Sequence, residues 1–127
     1  MSQLKALKII SLPVSIVVLV DHHWISMYIT TTQIEIMDSL GFLANSNLHR
    51  TLKRFMRVHI CGKELYITPR LQSLTSDACG LYAASFLYYR TLTGKSLCQF
   101  TNIFTTDHHL NCAIIREIFN EIWEPEV

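Results

Sequence analysis

Residues 15–37, SIVVLVDHHWISMYITTTQIEIM, decide the fold, because they contain three consecutive strand patterns. Residues 15–20 are a β-branched apolar run, which is typical of a fully buried strand. Residues 24–31 alternate between bulky apolar and polar side chains, and residues 33–37 alternate again. Thr30, Thr31 and Thr32 predict a hairpin turn between these two strands. The stretch therefore predicts the beginning of a small β-sheet.

Helix patterns follow this sheet along the chain. The turn residues DSLG at 38–41 end the third strand, and residues 64–68 predict a further short strand. Helices are predicted from residue 46 or 47 to about residue 59, from residue 79 or 80 to about residue 92, and after residue 107. The sequence thus predicts an α+β fold with a small mixed or antiparallel sheet flanked by helices.

Composition sets limits on the class of protein. The chain has 127 residues, of which 50% are hydrophobic and 17% charged, and its formal net charge is +1. This length fits one domain, residues 1–127, and this apolar content excludes a disordered chain. The balanced charge gives no sign of obligate binding to nucleic acid or to a membrane surface. The apolar run at 9–20 contains Pro13 and is too short to cross a bilayer, so no signal peptide or membrane segment is expected.

Cysteine and histidine spacing argues against a disulfide scaffold and against a metal site. The four cysteines, at positions 61, 79, 98 and 112, form no CxxC pair, so we expect reduced thiols in an intracellular compartment. The histidine pairs at 22–23 and 108–109 lack the spacing of zinc ligands, so no metal is predicted.

Four residues have the chemistry of a thiol protease, in the order His23, Asp38, Gln72 and Cys79. Such an enzyme needs a thiolate, a histidine that takes and returns its proton, and a carboxylate that orients the histidine. Cys79 opens a predicted helix, whose N-terminal N–H groups favour a thiolate. Gln72 lies seven residues earlier and can supply a donor to an oxyanion. Each residue also has an ordinary interpretation, as a core cysteine, a boundary histidine, a turn aspartate or a loop glutamine.

The motifs HW at 23–24, DSLG at 38–41 and QSLTSDACGLY at 72–82 together resemble the adenovirus-type protease (adenain) family. The wider clan of that family includes the SUMO and other ubiquitin-like-protein-specific proteases. The resemblance implies a papain-like-clan cysteine protease core with the nucleophile at a helix N-terminus. It also implies the site roles: nucleophile Cys79, general base and acid His23, orienting carboxylate Asp38 and oxyanion-hole donor Gln72.

The same resemblance implies further substrate and activator contacts. Trp24 would wall the cleft beside His23, and Gly80 has no side chain to block a substrate carbonyl. Adenoviral enzymes are activated by a disulfide-linked peptide and by DNA. Cys61 lies 11 residues before Gln72, a spacing similar to that of the peptide-linking cysteine. The ordinary interpretation of Cys61 is a core or free thiol. The candidate DNA contact is the predicted helix at 46–59, whose basic residues also fit an ordinary solvated face, and the sequence itself requires no cofactor.

The function predicted from the sequence is therefore a cysteine endopeptidase that cleaves after Gly in viral or transposon-type precursor proteins. We expect a monomer that acts on protein or peptide substrates, in the host nucleus or the virion if it is viral. One alternative is a protease for SUMO or another ubiquitin-like modifier, since that branch also uses an aspartate where Asp38 stands. The other is a catalytically inactive, truncated homologue that acts as a binding module, because the segment before His23 is shorter than the family pattern.

Overall fold

A four-stranded sheet forms the centre of the structure. The computed structural model describes residues 12–20, 22–41, 54 and 62–123. In these residues the strands lie side by side in chain order: β1 (Val14–Val20), β2 (His23–Ile29), β3 (Gln33–Met37) and β4 (Glu64–Ile67). The first three pair antiparallel, whereas β4 pairs parallel to β3, so the sheet is mixed.

The β2–β3 hairpin determines where the candidate site lies. Its turn forms where the three threonines predict it: the Thr30 N–H donates to the Gln33 carbonyl at 2.9 Å, and the Thr30 hydroxyl oxygen accepts the Gln33 N–H at 3.1 Å. The antiparallel register pairs Ser26 with Met37. The first residues of β2 and the residues after β3 consequently lie at the same end of the sheet, as predicted.

The prediction that the first strand is fully buried is wrong. β1 lies at one edge of the described sheet, with β2 as its neighbour. Val17 and Leu19 are 50% and 53% exposed, whereas Ile16 and Val18 pack against the core. An uninterrupted β-branched run does not distinguish a buried strand from an edge strand that has one exposed apolar face.

Apolar side chains pack on both faces of the sheet, since neighbouring residues of a strand point in opposite directions. One face carries a buried cluster of Ile25, Met27, Ile29, Ile34 and Ile36. The cluster on the helical side includes Met37, Tyr82, Phe86, Phe100 and Ile115. Tyr82 and Phe86 are both wholly buried, and this burial raises the pKa of the Tyr82 phenol.

Helices pack on the second of these faces. The described ones are α1 (Cys79–Leu92), α2 (Leu97–Thr101) and α3 (His108–Trp123). The predicted α+β class is therefore confirmed, as are the helices that begin at Cys79 and after Asp107. The helix predicted at 46–59 lies outside the described residues, apart from Arg54, which is helical and exposed. Among the helices that the structure describes, none has both the length and the apolar character needed to span a membrane.

A buried carboxylate, which the sequence did not single out, connects β3 to the helices. Glu35 is 2% exposed, and its Oε1 accepts a hydrogen bond from Arg90 Nε at 2.6 Å. Its Oε2 accepts the Leu97 N–H at the beginning of α2, at 2.7 Å. The Arg90 guanidinium also lies 4.4 Å from the centre of the Tyr28 ring. Glu35 thereby fixes the end of α1 and the beginning of α2 against the sheet.

We expect Glu35→Ala to lower the free energy of unfolding by about 3 kcal/mol, because it leaves the mostly buried Arg90 without its counter-charge. Urea denaturation would measure this as a lower midpoint. The matched control is Glu64→Ala, which removes an exposed carboxylate from β4 and should change stability by less than about 0.5 kcal/mol. Equal effects of the two substitutions would contradict the assigned role of Glu35.

Candidate active site

The hairpin brings together the histidine and the aspartate that the sequence predicted as partners. His23 is the first residue of β2, and Asp38 directly follows β3. His23 Nε2 lies 2.6 Å from Asp38 Oδ1, and the two residues are 3% and 0% exposed. A contact this short between an imidazole and a carboxylate, shielded from water, fixes the orientation of the ring.

The two neighbouring histidines have opposite environments. His22 is exposed and has a positive φ of 64°, so it forms the turn that leads into β2. His23 begins the strand and points inward to Asp38. Of the two neighbouring histidines, His23 is therefore the one that faces Asp38.

A buried threonine holds the backbone of Asp38. The Asp38 N–H donates to Thr68 Oγ1 at 2.8 Å, and the Thr68 hydroxyl donates to the Asp38 carbonyl at 3.0 Å. Thr68 itself follows β4 and is 1% exposed. The backbone of Asp38 is thus fixed from the end of the neighbouring strand, a contact that was not predicted because Thr68 lies 30 residues away.

Cys79 lies against the strand that carries His23. It is the first residue of α1 and is 8% exposed, and its Sγ accepts the Trp24 backbone N–H at 3.5 Å. The β2–β3 ladder ends at the pair of Ser26 and Met37, so Trp24 lies beyond it. The Cys79 thiol therefore accepts the Trp24 N–H, which has no β3 partner in this ladder. The prediction that a helix begins at the cysteine is confirmed, and no side chain caps that helix at Ala78.

Trp24 lies close to Gly80, the residue that follows the nucleophile candidate Cys79. A Cβ added at Gly80 would lie 3.4 Å from Cδ1 of the Trp24 indole, which is an ordinary van der Waals distance. Trp24 is 41% exposed, so the rest of its ring faces solvent. The indole therefore lies beside the first turn of α1.

Gln72 is wholly buried, and both ends of its carboxamide are held. Its Oε1 accepts a hydrogen bond from the Ser39 hydroxyl, and its Nε2 donates to the Ser76 carbonyl at 3.0 Å. Ser39 directly follows Asp38, and Ser76 precedes Cys79 by three residues. These contacts also attach the loop before α1 to the turn after β3, so a purely structural role accounts for them equally well.

The segment that leads into α1 is held from α3. The Ser76 Oγ accepts the Ala78 N–H at 3.2 Å and lies 3.0 Å from Cys112 Sγ. Asp77 is exposed, and its carboxylate accepts a hydrogen bond from Arg116 at 3.1 Å. Cys112 and Arg116 were not identified from the sequence, because nothing in their local pattern indicates which loop they contact.

The other cysteines and histidines considered from the sequence lie away from this site or outside the described residues. Cys61 lies outside the described residues. Cys98 and Cys112 carry free thiols, as does Cys79. His108 and His109 lie in the first turn of α3. Within residues 12–20, 22–41 and 62–123, the structure contains no group of three histidine, cysteine or acidic side chains that could hold a metal ion.

Four hydrogen bonds thus hold His23, Asp38, Gln72 and Cys79 at one end of the sheet. Asp38 holds His23, the residue after His23 contacts Cys79, and Ser39 and Ser76 hold Gln72. A histidine–carboxylate pair beside a thiol at a helix N-terminus has the groups needed for nucleophilic catalysis by cysteine. Comparisons of the chain with protein-family models, with curated proteins and with solved structures found no match.

Proposed function

We propose that this protein is a cysteine endopeptidase with a papain-like-clan core, in which Cys79, His23 and Asp38 form the catalytic triad. The observation that carries the proposal is a pair of contacts from consecutive residues of β2. His23 lies 2.6 Å from Asp38, and the Trp24 N–H donates to Cys79 Sγ. A buried histidine–aspartate pair next to a helix-terminal thiol is a costly arrangement that an ordinary core does not require.

The roles follow from the atoms in contact. Because His23 Nε2 is held by Asp38, Nδ1 is the ring nitrogen that takes the proton from the thiol. The Cys79 thiolate attacks the scissile carbonyl, and His23 returns the proton to the departing amine as the C–N bond breaks. Water then attacks the thioester, which releases the acid and restores the thiol. Asp38 stabilises the imidazolium in both steps.

Gln72 supports the proposal as a source of the oxyanion donor. A side-chain amide nitrogen carries two hydrogens, and Ser76 accepts one of them. The second is the donor that we assign to the developing oxyanion. Trp24 and Gly80 would line the substrate channel, because a side chain at Gly80 would reach the indole of Trp24.

For the substrate, the resemblance to the adenain family supports cleavage after Gly in precursor proteins. The seven-residue spacing from Gln72 to Cys79 supports the same branch, whereas the aspartate at Asp38 supports a protease for ubiquitin-like modifiers. An activating peptide linked through Cys61, or DNA, belongs to the first of these proposals. Incubation with a Gly-Gly and Gly-x peptide library and, separately, with modifier fusions distinguishes the two substrates.

Competitive alkylation with iodoacetamide at limiting dose tests whether the site is catalytic at all. Exposure alone predicts that Cys98, which is exposed, reacts before Cys79, which is 8% exposed. An active thiolate at Cys79 reverses this order, and mapping of the labelled peptides measures it. If Cys98 reacts first and no library peptide is cleaved, the chain is a binding module and the proposed activity is wrong.

Asp38→Asn should lower kcat by about 10²-fold, because a neutral amide does not stabilise the imidazolium. Steady-state kinetics on a cleaved Gly-x peptide would measure this loss. Asp77→Asn is the matched control, since it removes an exposed carboxylate two residues from the nucleophile and should leave kcat unchanged. An Asp38→Asn enzyme within twofold of the wild type would show that Asp38 is an ordinary turn residue.

A further inference from the structure

We propose that Ser39 is a positioning residue, which fixes the direction in which the Gln72 carboxamide faces. The proposal rests on the proposed function, because it assigns to Ser39 the support of the oxyanion donor. Ser39 is 1% exposed and directly follows the carboxylate that holds His23. It does not contact the thiol in any hydrogen bond that the described residues make, so it acts through Gln72.

Ser39 attaches to Gln72 by both its side chain and its backbone. Its hydroxyl donates to Gln72 Oε1. Its carbonyl accepts the N–H groups of Leu71 and Gln72, at 2.8 and 3.1 Å. The backbone contacts fix where the Gln72 side chain starts, and the hydroxyl contact fixes how the amide at its end is turned.

The orientation follows from the donors and acceptors on either side. With Oε1 toward the Ser39 hydroxyl, Nε2 faces the Ser76 carbonyl and donates to it at 3.0 Å. The flipped amide would place Oε1 against the Ser76 carbonyl, where two acceptor oxygens would face each other without a hydrogen between them. Without the Ser39 hydroxyl, Oε1 would lose its donor in a fully buried place.

One turn consequently carries both orienting residues, Asp38 and Ser39. The Gly41 N–H donates to the Asp38 carbonyl at 2.9 Å, which closes the turn at 38–41. Gly41 has a positive φ of 70°, and a Cβ there would lie 3.0 Å from the Cβ of Arg70, so the turn packs closely on the loop before Gln72. Within this turn Asp38 orients the histidine, and its neighbour Ser39 orients the amide.

A double-mutant cycle on a fluorogenic Gly-Gly peptide tests the kinetic part. Ser39→Ala should lower kcat by about tenfold with KM within twofold, because the donor remains but the amide loses the hydroxyl that holds Oε1 and is held only through Ser76. In the Gln72→Ala background, Ser39→Ala should cause no further loss, since the group that it positions is gone. Equal losses in both backgrounds would mean that Ser39 only stabilises the fold, and the proposal would be wrong.

Side-chain amide NMR tests the orientation without any turnover. The Gln72 Nε2 signals are those that disappear in Gln72→Ala, and their hydrogen exchange should accelerate at least tenfold in Ser39→Ala. Ser73→Ala is the control, because it removes a hydroxyl of the same loop whose partner is Thr75. If the wild-type enzyme is active and Ser39→Ala leaves the exchange of the Gln72 amide unchanged, the role of Ser39 is wrong but the proposed function stands. A wild type without turnover overturns the proposed function, and the catalytic role of Ser39 with it.

Discussion

Cys79→Ala and Cys79→Ser should each abolish peptidase activity while the fold survives. Both remove the only atom in the proposed mechanism that bonds to the substrate, so we expect kcat to fall by several orders of magnitude. Serine keeps a hydrogen-bond acceptor near the Trp24 N–H, which makes it the better test of chemistry as distinct from packing. Peptide cleavage and the urea midpoint should be measured on the same preparations.

The matched control for this loss is Cys112→Ser. Cys112 carries a free thiol that lies 3.0 Å from Ser76 Oγ, and it contacts the segment leading into the same helix. A serine there keeps a polar partner for Ser76 and should leave most of the turnover intact. If Cys79→Ser keeps more than a tenth of the wild-type activity and Cys112→Ser is inactive, Cys79 is not the nucleophile and the assignment is wrong.

The local part of the fold was predictable because it depends on local chemistry. The Thr30–Thr32 turn, strand alternation in β2 and β3, and the beginning of α1 each follow from residues within one element, and the structure contains them. The burial of β1 was not predictable in this way. Whether Val17 and Leu19 are covered depends on what packs beside the strand, which a β-branched run does not encode.

The residues of the candidate site were predictable from the sequence, because their types and their order along the chain indicate a thiol protease. The resemblance pairs His23 with Asp38, and the hairpin turn predicted at Thr30–Thr32 brings their strand ends together; the structure has the two side chains in contact. The supporting contacts were not expected. Thr68 lies 30 residues from Asp38, and Gln72 lies 33 residues from Ser39, so no local pattern reports either contact.

The buried carboxylate of Glu35, which we expect to stabilise the fold, was likewise not predictable from the sequence. An acidic residue in an alternating strand is ordinarily assigned to the solvent-facing side, because an unpaired buried charge is costly. Here Arg90 and the Leu97 N–H, which lie 55 and 62 residues away, compensate the carboxylate. Burial of that kind can be identified only after the elements have been assembled.

His23 should be the second residue whose loss removes nearly all turnover. In the proposed mechanism it moves the proton in every step, and general acid–base catalysis contributes about 10²–10⁴ in rate. Because His23→Ala would leave Asp38 buried without its 2.6 Å partner, that variant risks unfolding. His23→Gln is the informative change, since its amide can still donate to Asp38 but cannot accept the thiol proton.

The control for His23→Gln is His22→Asn, a substitution at the neighbouring histidine that suits its positive φ. His22 has a φ of 64°, which asparagine tolerates well, so His22→Asn changes the imidazole without straining the turn. We expect His22→Asn to retain most of the peptidase activity and His23→Gln to lose it, with iodoacetamide labelling of Cys79 at pH 7 slowed only in the latter. Labelling at wild-type rate in His23→Gln would mean that His23 does not activate the thiol. The buried pair of His23 and Asp38 would then be a structural contact, and the chain would be better explained as a binding module.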